Sequence, residues 1–518
     1  MRTLDDGWAL HDYGDLARRV RGVSAQLRAA GVAPGDRVIV PAGDVVDFVC
    51  HLFGTLHAGA TAVPLGPGDV ATVARVSGAR FAVAAGVSEA LAPRVRVIEA
   101  DGRCATAAEA VPPAATALIQ FTSGSSAAPR AVPISRANLE ANVQTIARWL
   151  GIGPDDAAAS WLPLHHDMGL IGLLIVPVAC QMTLWSMRPR DFLLRPRTWL
   201  ECFGTHGATL GAAPDFAYGL VARRVRPDRL AEMDFSRWRV AIAGAERLTA
   251  SLGRFAALLQ PCGFDPKALR PAYGLAEATL AVTGHTGDDV ARVAEVDAQA
   301  LAPGRPVRVR RTRPLTAPSA ASAADVCVAS GPPLPGNAVE ICDDAGRPLP
   351  DGVLGEIVVR GPGVAAGYLG APAGSTRFED GLVTGDAGFL LDGELFVLGR
   401  MADGLKVRGR MWHAEGLEHE LAEGLGVPVT RCAVVARWTD PAGGVAAIVE
   451  QPPGDWAPKA VELLRARLGS GVPVTVHAGP ILRTTSGKPR RRAIWDRLAA
   501  SAAGAEEGLQ ELGALGRE

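Results

Sequence analysis

Two spacings of apolar residues alternate along the first part of the chain and predict helices and strands in turn. Apolar residues four, three and four positions apart predict an amphipathic helix that a glycine ends: Leu16, Val20, Val23, Leu27 and then Gly31. Residues 46–60 predict a second helix. Short apolar runs, which predict strands, lie at residues 37–40, 62–65, 80–84, 94–98, 209–211 and 240–244. This alternation predicts a parallel sheet covered by helices.

The pattern changes in the second half of the chain. Periodicity fades over residues 288–324, where several arginines stand among Pro and Val, and we interpret this stretch as a solvated surface excursion. A nucleic-acid patch is the less favoured interpretation, because no aromatic residues are interleaved. Short strands separated by Gly, Asp and Pro follow at residues 338–341, 355–360 and 393–397 and predict a small β-barrel subdomain. Residues from about 403 to 498 repeat an α+β pattern of their own.

The sequence therefore predicts an α/β protein of more than one domain. A chain of 518 residues exceeds the size at which a single core stops growing. We expect a large N-terminal domain over residues 1–400, built of parallel-sheet αβα subdomains and a small β-barrel subdomain. A small mobile α+β domain is expected over residues 401–500, and a tail over residues 501–518.

Charge and cysteine usage limit the partners and the compartment. With 53 basic and 54 acidic residues, composition gives no argument for a nucleic-acid or membrane partner. The eight cysteines are scattered without a CxxC pair, and no secretory leader is recognised, so we expect a cytoplasmic protein with reduced thiols. The longest apolar runs, such as residues 170–179, are too short to span a bilayer.

A hydroxyl-rich stretch is the first candidate for chemistry. The apolar run 118–121 predicts a strand that ends in Thr122, Ser123, Gly124, Ser125 and Ser126, and Ser135 then opens a helix. Hydroxyl groups and accessible backbone N–H groups at such a turn can hold phosphate. Most turns of this composition are only turns, and no Gly-Lys-Ser/Thr follows as in a Walker loop.

Further motifs, taken in order, resemble the adenylate-forming superfamily and within it the fatty acyl-AMP ligases and related acyl-CoA synthetases. Beside the loop at residues 121–126, the matching stretches are 160–172 with its His-Asp-Met-Gly-Leu sequence, 211–218, 244–246, 272–279, Thr384-Gly385-Asp386, Gly399-Arg400, Asp403 and Ser486-Gly487-Lys488. The similarity covers nearly the whole chain. Ordered motifs are together far more specific than any one of them.

The resemblance implies ATP and Mg²⁺ as cofactors and assigns residues to them. Thr122, Ser123, Gly124, Ser125 and Ser126 would cradle the β- and γ-phosphates. Glu277 would hold Mg²⁺, a hard ion suited to carboxylate and phosphate oxygens. The remaining nucleotide contacts implied by the family are Gly244, Ala245, Glu246, Tyr273, Gly274, Leu275, Ala276, Asp386 and Arg400. Among them, Tyr273 would lie against the adenine, and Asp386 would accept the ribose hydroxyls with Arg400 nearby.

Two residues are implied as catalytic. Lys488 would neutralise charge shared by the attacking carboxylate and the α-phosphate, delivered by rotation of the C-terminal domain about a hinge at Asp403. His166 lies by the acyl carboxylate in the family. A histidine beside Asp167 could equally form a structural hydrogen-bonding pair.

The chain departs from the family pattern at three places. Residues 126–131 read Ser-Ala-Ala-Pro-Arg-Ala where the family usually has Thr-Gly-x-Pro-Lys-Gly, so an arginine fork replaces a point charge and two glycines are lost. Residues 409–415 differ from the ligases after the hinge, which leaves the acceptor open. Arg188 and Arg190 are unusual near the family's acyl tunnel; they either face solvent or mark a smaller or more polar acid.

These observations lead to one hypothesis and two rivals. We expect an AMP-forming ligase that activates a carboxylic acid, fatty acyl by resemblance, as acyl-adenylate with release of pyrophosphate, for transfer to a carrier-protein thiol. The first rival is a secondary-metabolism relative that adenylates a small aryl acid or nitrite for attack by an amine. The second is an inactive nucleotide-binding scaffold. A small-molecule acid and an acyl carrier protein are the expected partners.

Overall fold

The structure is a computed structural model, and it describes most of the chain. The described residues are 1–4, 7–66, 70–83, 95–103, 109, 111–122, 130–318, 321, 325–370, 378–401, 404–407, 410–436, 444–483, 489–491, 493–495 and 497–498. Six of the predicted site residues lie outside them, namely Ser123, Gly124, Ser125, Ser126, Asp403 and Lys488. The predicted tail, residues 501–518, lies outside them as well.

Strands and helices alternate in the first half of the chain, and strands dominate the second half. The strands are β1 Arg2–Leu4, β2 Trp8–Leu10, β3 Arg37–Pro41, β4 Thr61–Leu65, β5 Phe81–Val83, β6 Arg96–Ile98, β7 Thr116–Phe121, β8 Ala131–Ser135, β9 Ala157–Ser160, β10 Thr183–Ser186, β11 Leu210–Pro214, β12 Val240–Gly244, β13 Leu269–Gly274, β14 Ala281–Gly284, β15 Arg292–Val296, β16 Val309–Pro314, β17 Val326–Val328, β18 Ala338–Cys342, β19 Gly355–Arg360, β20 Leu382–Leu391, β21 Glu394–Arg400, β22 Gly404–Val407, β23 Arg410–His413, β24 Cys432–Ala436, β25 Val445–Val449 and β26 Val474–Ala478.

The helices cover the sheets. They are α1 Tyr13–Ala29, α2 Val45–His57, α3 Val70–Ser77, α4 Arg136–Leu150, α5 Val176–Ala179, α6 Pro189–Leu194, α7 Pro196–Gly204, α8 Asp215–Arg224, α9 Ser251–Leu259, α10 Ala414–Leu425 and α11 Trp456–Leu468, with a π-helix at Met168–Ile175. The predicted first helix is confirmed: its apolar face is buried at Leu16, Val23 and Leu27. Among the described residues, no helix is long and apolar enough to cross a bilayer.

Two largely parallel sheets form the larger part of the fold. One has six strands in the order β6-β5-β3-β4-β7-β8, and the other has eight in the order β14-β13-β12-β11-β9-β10-β1-β2. Pairing is antiparallel only where the edge strands β8, β14 and β2 join their neighbours. Buried apolar side chains from both sheets and their helices belong to one continuous cluster. The predicted helix-covered parallel sheet is confirmed.

Smaller sheets follow, as the second half of the sequence predicts. A three-stranded sheet β16-β15-β17 and a four-stranded sheet β18-β19-β20-β21 share an apolar cluster that includes Phe389 and Phe396. The last part of the chain forms a three-stranded sheet β24-β25-β26, packed against α10 and α11 around a core of its own. The domain boundaries at residues 400 and 500 stay a prediction.

One local prediction is wrong, and a second needs a refinement. The hydroxyl-rich loop does not lead directly into a helix, because β8 comes between them and pairs antiparallel with β7. Ser135 is still the helix N-cap: its hydroxyl accepts the N–H of Asn138 at 3.0 Å. Residues 309–314 form strand β16 within the stretch interpreted as a solvated surface excursion: most of the strand is exposed, and Arg311 and Arg313 both pair with the buried carboxylate of Glu295.

Candidate functional site

The candidate site lies where parallel strands β11, β12 and β13 end. Their registers pair Pro214 with Gly244 and Ala243 with Pro271, so the segments that follow begin side by side. Ligands of open α/β sheets bind outside the carboxyl ends of the strands. The predicted nucleotide residues Ala245 and Tyr273 therefore lie at the same edge of the sheet. They are far apart in sequence, and the fold brings them together.

Close backbone packing explains the glycines at this edge. A Cβ atom on Gly274 would lie 1.9 Å from the carbonyl oxygen of Leu280, and one on Gly244 would lie 3.1 Å from that of Ala272. Ala245 adopts φ of 67°, a left-handed conformation that residues with a side chain rarely take. Strained backbone of this kind clusters at ligand sites, which agrees with the predicted role of Ala245.

Glu246, Leu275 and Ala276 complete the predicted nucleotide residues. Glu246 accepts the backbone N–H of Phe216 on Oε1 at 2.6 Å, so its carboxylate ties the segment after β12 to the first turn of α8. Leu275 is buried in the cluster of the four-stranded sheet, and Ala276 begins a single 3₁₀ turn. The observed contacts of Glu246 and Leu275 hold parts of the fold together. Contact of these residues with nucleotide stays a prediction.

Tyr273, Asp386 and Arg400 form a connected polar set. The Tyr273 hydroxyl donates to Asp386 Oδ2 at 2.6 Å, and Arg400 Nε lies 3.0 Å from Asp386 Oδ1. Register pairs Asp386 on β20 with Arg400 on β21. Arg400 also donates through Nη1 to the carbonyl of Thr384 at 2.9 Å. The aromatic ring, the carboxylate and the guanidinium that the sequence predicted for one nucleotide are thus brought together from two different sheets.

The environment keeps the Tyr273 phenol protonated. Burial, and then the Asp386 carboxylate, raise the pKa of Tyr273 well above its ordinary value, so the phenol stays a donor. Thr384 contributes from the same strand: its hydroxyl donates to the carbonyl of Ile357 at 2.7 Å and accepts the backbone N–H of Asp386 at 3.0 Å.

Glu277 sits in the loop that follows β13, and residues 361–370 hold it there. Its side chain is buried, and Oε1 accepts the Tyr368 hydroxyl at 2.6 Å. The Glu277 backbone carbonyl accepts the N–H of Ala365 at 2.9 Å. Two residues on, Thr279 adopts φ of 68° and donates its hydroxyl to the carbonyl of Gly363 at 2.6 Å. A β-branched residue at positive φ is an outlier, and here residues 361–370 hold it in place.

The donor set at Glu277 fits Mg²⁺ bound together with phosphates. Mg²⁺ is commonly held by one or two carboxylates plus substrate phosphate oxygens and water. Glu277 is a single buried carboxylate with one oxygen hydrogen-bonded, and no group of three or more His, Cys, Asp or Glu residues suited to a metal occurs in the described ranges. Within the described ranges, this single carboxylate fits a metal whose other ligands are nucleotide phosphate oxygens and water.

The ends of the predicted phosphate loop are described, and the loop between them is not. Thr122 and Arg130 close a hairpin, since the Thr122 N–H donates to the Arg130 carbonyl at 2.9 Å. The Arg130 guanidinium lies 5.1 Å from the ring centroid of Tyr368. Ser123, Gly124, Ser125 and Ser126 lie outside the described residues, and so do the predicted hinge Asp403 and the predicted catalytic Lys488.

His166 lies beside a second histidine at the start of the π-helix. Its ring centroid is 4.2 Å from that of His165. Asp167 caps the π-helix through Oδ1, which accepts the N–H of Met168 at 2.8 Å. Burial, and then His166, lower the pKa of His165 to about 3, so His165 is neutral at physiological pH. π-helices are rare and occur frequently at functional sites, which agrees with the predicted role of His166.

The two unusual arginines lie on the surface. Arg188 is exposed and pairs with Asp191 through Nε at 2.9 Å, and Arg190 is exposed on α6. Of the two interpretations left open by the sequence, solvent exposure is the one observed.

Sequence reasoning missed Tyr368. Its ring and hydroxyl contact Arg130 and Glu277, both of which the sequence had singled out. Residues 361–370 have no periodic apolar pattern, so the signal was limited to an aromatic residue after a glycine.

Fold and site together define an α/β protein with a composite polar site at the carboxyl edge of a parallel sheet. The sequence profile described as AMP-binding enzyme matches residues 2–369. The chain therefore belongs to the AMP-binding enzyme family.

Relatives match along almost the entire chain. The long-chain-fatty-acid–AMP ligase FadD26 of Mycobacterium tuberculosis is 31% identical over 530 residues, covering 92% of this chain and 89% of the relative. A solved structure from a study of fatty acyl-adenylate ligases of E. coli and L. pneumophila is 30% identical, with a TM-score of 0.83, and covers 98% of this chain and 96% of that chain. A fatty acyl-adenylate ligase of L. pneumophila in complex with acyl adenylate and pyrophosphate is 26% identical, with a TM-score of 0.70 and coverage of 96% and 93%.

Proposed function

We propose that this protein activates a fatty acid with ATP as acyl-adenylate and releases pyrophosphate. The observation that carries the proposal is the hydrogen-bonded set of Tyr273, Asp386 and Arg400, together with the buried Glu277 in the turn that follows the strand of Tyr273. An aromatic ring, a fixed carboxylate and a second carboxylate with one oxygen hydrogen-bonded to a phenol meet the needs of an adenosine triphosphate bound with Mg²⁺. The fatty acyl character of the substrate is supported by the names of the relatives that match over nearly the full chain.

The reaction joins two anions, and the residues are proposed to meet that requirement. A carboxylate oxygen of the acid bonds to the α-phosphorus while the bond to the bridging oxygen of pyrophosphate breaks. Mg²⁺, when bound at Glu277, supplies positive charge to the phosphates. Asp386 accepts the ribose hydroxyls and so fixes the α-phosphate relative to the acid, which lowers the entropic part of the barrier. Thr122 and Ser123 to Ser126 hold the phosphate chain.

Lys488 is proposed to act in the adenylation step. Its ammonium stabilises the charge that the carboxylate and the α-phosphate share as the bond forms. In this proposal residues 401–500 form a domain that turns about Asp403, first to present Lys488 and then to admit an acceptor. The acceptor is a carrier-protein thiol, which attacks the acyl carbon and displaces AMP.

Acid-dependent exchange of pyrophosphate into ATP tests the proposal. Wild-type protein is expected to exchange with fatty acids, with turnover that rises with chain length over a graded panel. Lys488→Ala is expected to reduce exchange by at least a hundredfold, as loss of a donor to transition-state charge does. Lys459→Ala is the matched control, because Lys459 is an exposed lysine on α11 of the same part of the chain. Exchange that survives in Lys488→Ala contradicts the assigned role.

The same panel decides between the proposal and its rivals. Nitrite with an aryl amine, and small aryl acids, are included in it; turnover restricted to these would favour the secondary-metabolism relative. Surface exposure of Arg188 and Arg190 removes one of the two reasons for that rival, and the altered loop remains. Calorimetric binding of ATP without pyrophosphate release on any acid would favour the inactive scaffold.

A further inference from the structure

Tyr368 stands between two groups of opposite charge. Its hydroxyl donates to Glu277 Oε1 at 2.6 Å, and the Arg130 guanidinium lies 5.1 Å from its ring centroid, within the range of a cation–π contact. The ring is held edge-on by Phe378, with centroids 5.2 Å apart and planes at 84°. One side chain therefore touches both the residue proposed to bind Mg²⁺ and the arginine that ends the proposed phosphate loop.

The backbone on both sides fixes the position of Tyr368. Ala365, three residues before it, donates its N–H to the Glu277 carbonyl at 2.9 Å. Leu369, directly after it, donates its N–H to the carbonyl of Ala131 at 2.8 Å. Tyr368 is thus tied to the Glu277 loop on one side and to strand β8 on the other, and its ring has little freedom to move between them.

Arg130 and Glu277 do not pair with each other. Arg130 is exposed and forms no ion pair with any carboxylate of the described residues, and Glu277 has the phenol as its hydrogen-bond partner. Where an arginine and a carboxylate meet, the pair is frequently a bidentate ion pair. Such a pair would occupy the oxygens that a cation needs and would withdraw the arginine from phosphate.

We propose that Tyr368 is a positioning residue that separates Arg130 from Glu277, so that the arginine stays available for nucleotide phosphate and the carboxylate for Mg²⁺. The hydroxyl binds one carboxylate oxygen and leaves the other for the metal. The ring face holds the guanidinium at the end of the loop. This inference rests on the proposed function, since it concerns the site of Mg²⁺ and ATP.

Calorimetry with a non-hydrolysable ATP analogue, α,β-methylene ATP, tests the inference without turnover. The analogue is titrated at a series of Mg²⁺ concentrations, which gives the Mg²⁺ concentration for half-maximal binding. Tyr368→Phe keeps the ring and loses the hydroxyl, so that concentration is expected to rise about tenfold, while affinity at saturating Mg²⁺ changes little. Tyr368→Leu loses both and is expected to weaken binding even at saturating Mg²⁺.

A second substitution, added to Tyr368→Leu, shows whether Tyr368 acts by keeping Arg130 away from Glu277 or only by packing. If Arg130 collapses onto Glu277 in Tyr368→Leu, then adding Arg130→Gln is expected to return the Mg²⁺ requirement to that of Tyr368→Phe. Tyr13→Phe is the matched control: it removes a tyrosine hydroxyl that donates to the Met182 carbonyl at 2.8 Å, far along the chain from the site. Its Mg²⁺ requirement is expected to equal that of the wild type.

The outcomes separate this inference from the proposed function. Wild-type protein that binds no analogue at any Mg²⁺ concentration overturns the proposed function. Wild-type binding with an unchanged Mg²⁺ requirement in Tyr368→Phe overturns the inference alone. A uniform loss of binding in the variants, independent of Mg²⁺ and accompanied by a lower melting temperature, would assign Tyr368 to packing and also overturns it.

Discussion

Replacement of His165 by asparagine should remove a defined part of the acid sensitivity of this protein. The buried Nδ1 atom of His165 has no hydrogen-bond partner among the residues that the structure describes, and burial beside His166 lowers the pKa of His165 to about 3 from an ordinary value of 6.5. The unfolded chain therefore takes up a proton below pH 6.5 that the folded protein does not. The resulting stability is present above pH 6.5 and is lost as the pH falls towards 3.

The size of the effect follows from the two pKa values. Between pH 7.5 and pH 5.0 this one group should lower the free energy of unfolding by about 2 kcal/mol, because each pH unit below 6.5 contributes about 1.4 kcal/mol. The assay is denaturant unfolding of wild-type protein and His165→Asn at both pH values. Any packing loss in the variant is common to the two pH values and cancels in the difference.

Other histidines contribute to the acid sensitivity of both proteins alike. Burial lowers the pKa of five of them: His51, His57, His206, His285 and His477. We therefore expect both proteins to lose stability on acidification, with the loss smaller by about 2 kcal/mol in His165→Asn. Equal losses in the two proteins would refute the assignment of a neutral, partly buried His165.

Two further substitutions test the nucleotide edge of the site. Asp386→Asn removes the charge that faces Arg400 and replaces one of the two acceptor oxygens proposed for ribose by a donor, so ATP binding measured by calorimetry should weaken about tenfold to a hundredfold, with a stability loss of only about 1 kcal/mol because Arg400 is 40% exposed. Unchanged ATP affinity would contradict the ribose role. Gly274→Ala places a Cβ 1.9 Å from the Leu280 carbonyl and should lower the free energy of unfolding by about 3 kcal/mol, whereas Gly43→Ala, in open space, should have little effect. Similar unfolding curves for the two alanine variants would contradict the packing argument.

Much of the fold could be predicted because burial imposes periodicity on the sequence. The first helix and the strands at residues 37–40 and 240–244 were found from apolar spacing, and they carry the two large sheets. Strand β8 was missed because Pro133 lies in its middle, and proline within a run argues against a strand. An edge strand tolerates it, since one side of the strand makes no ladder hydrogen bonds.

The sequence predicts less of the site than of the fold, because the site depends on contacts between residues far apart in sequence. Asp386 and Arg400 are near in sequence and fall opposite each other on a hairpin, so a motif could name them together. Strand β16 could not be recognised because periodicity fades in this part of the sequence, and only the fold brings Glu295 to Arg311 and Arg313. Tyr368 is 91 residues from Glu277, and the sequence around neither residue indicates that the two side chains are in contact.

Residues 361–370 connect the candidate site to several separately packed parts of the fold. This stretch continues from β19 of the four-stranded sheet, receives two hydrogen bonds from Asn138 of helix α4, and is bonded to the Glu277 loop and to Ala131 of the six-stranded sheet. Local unfolding of any one of these parts would release the stretch and, with it, Tyr368. Local unfolding of one of these parts should therefore abolish nucleotide binding and not merely weaken it. Nucleotide binding then reports whether the large N-terminal part of the chain is folded as one cooperative unit.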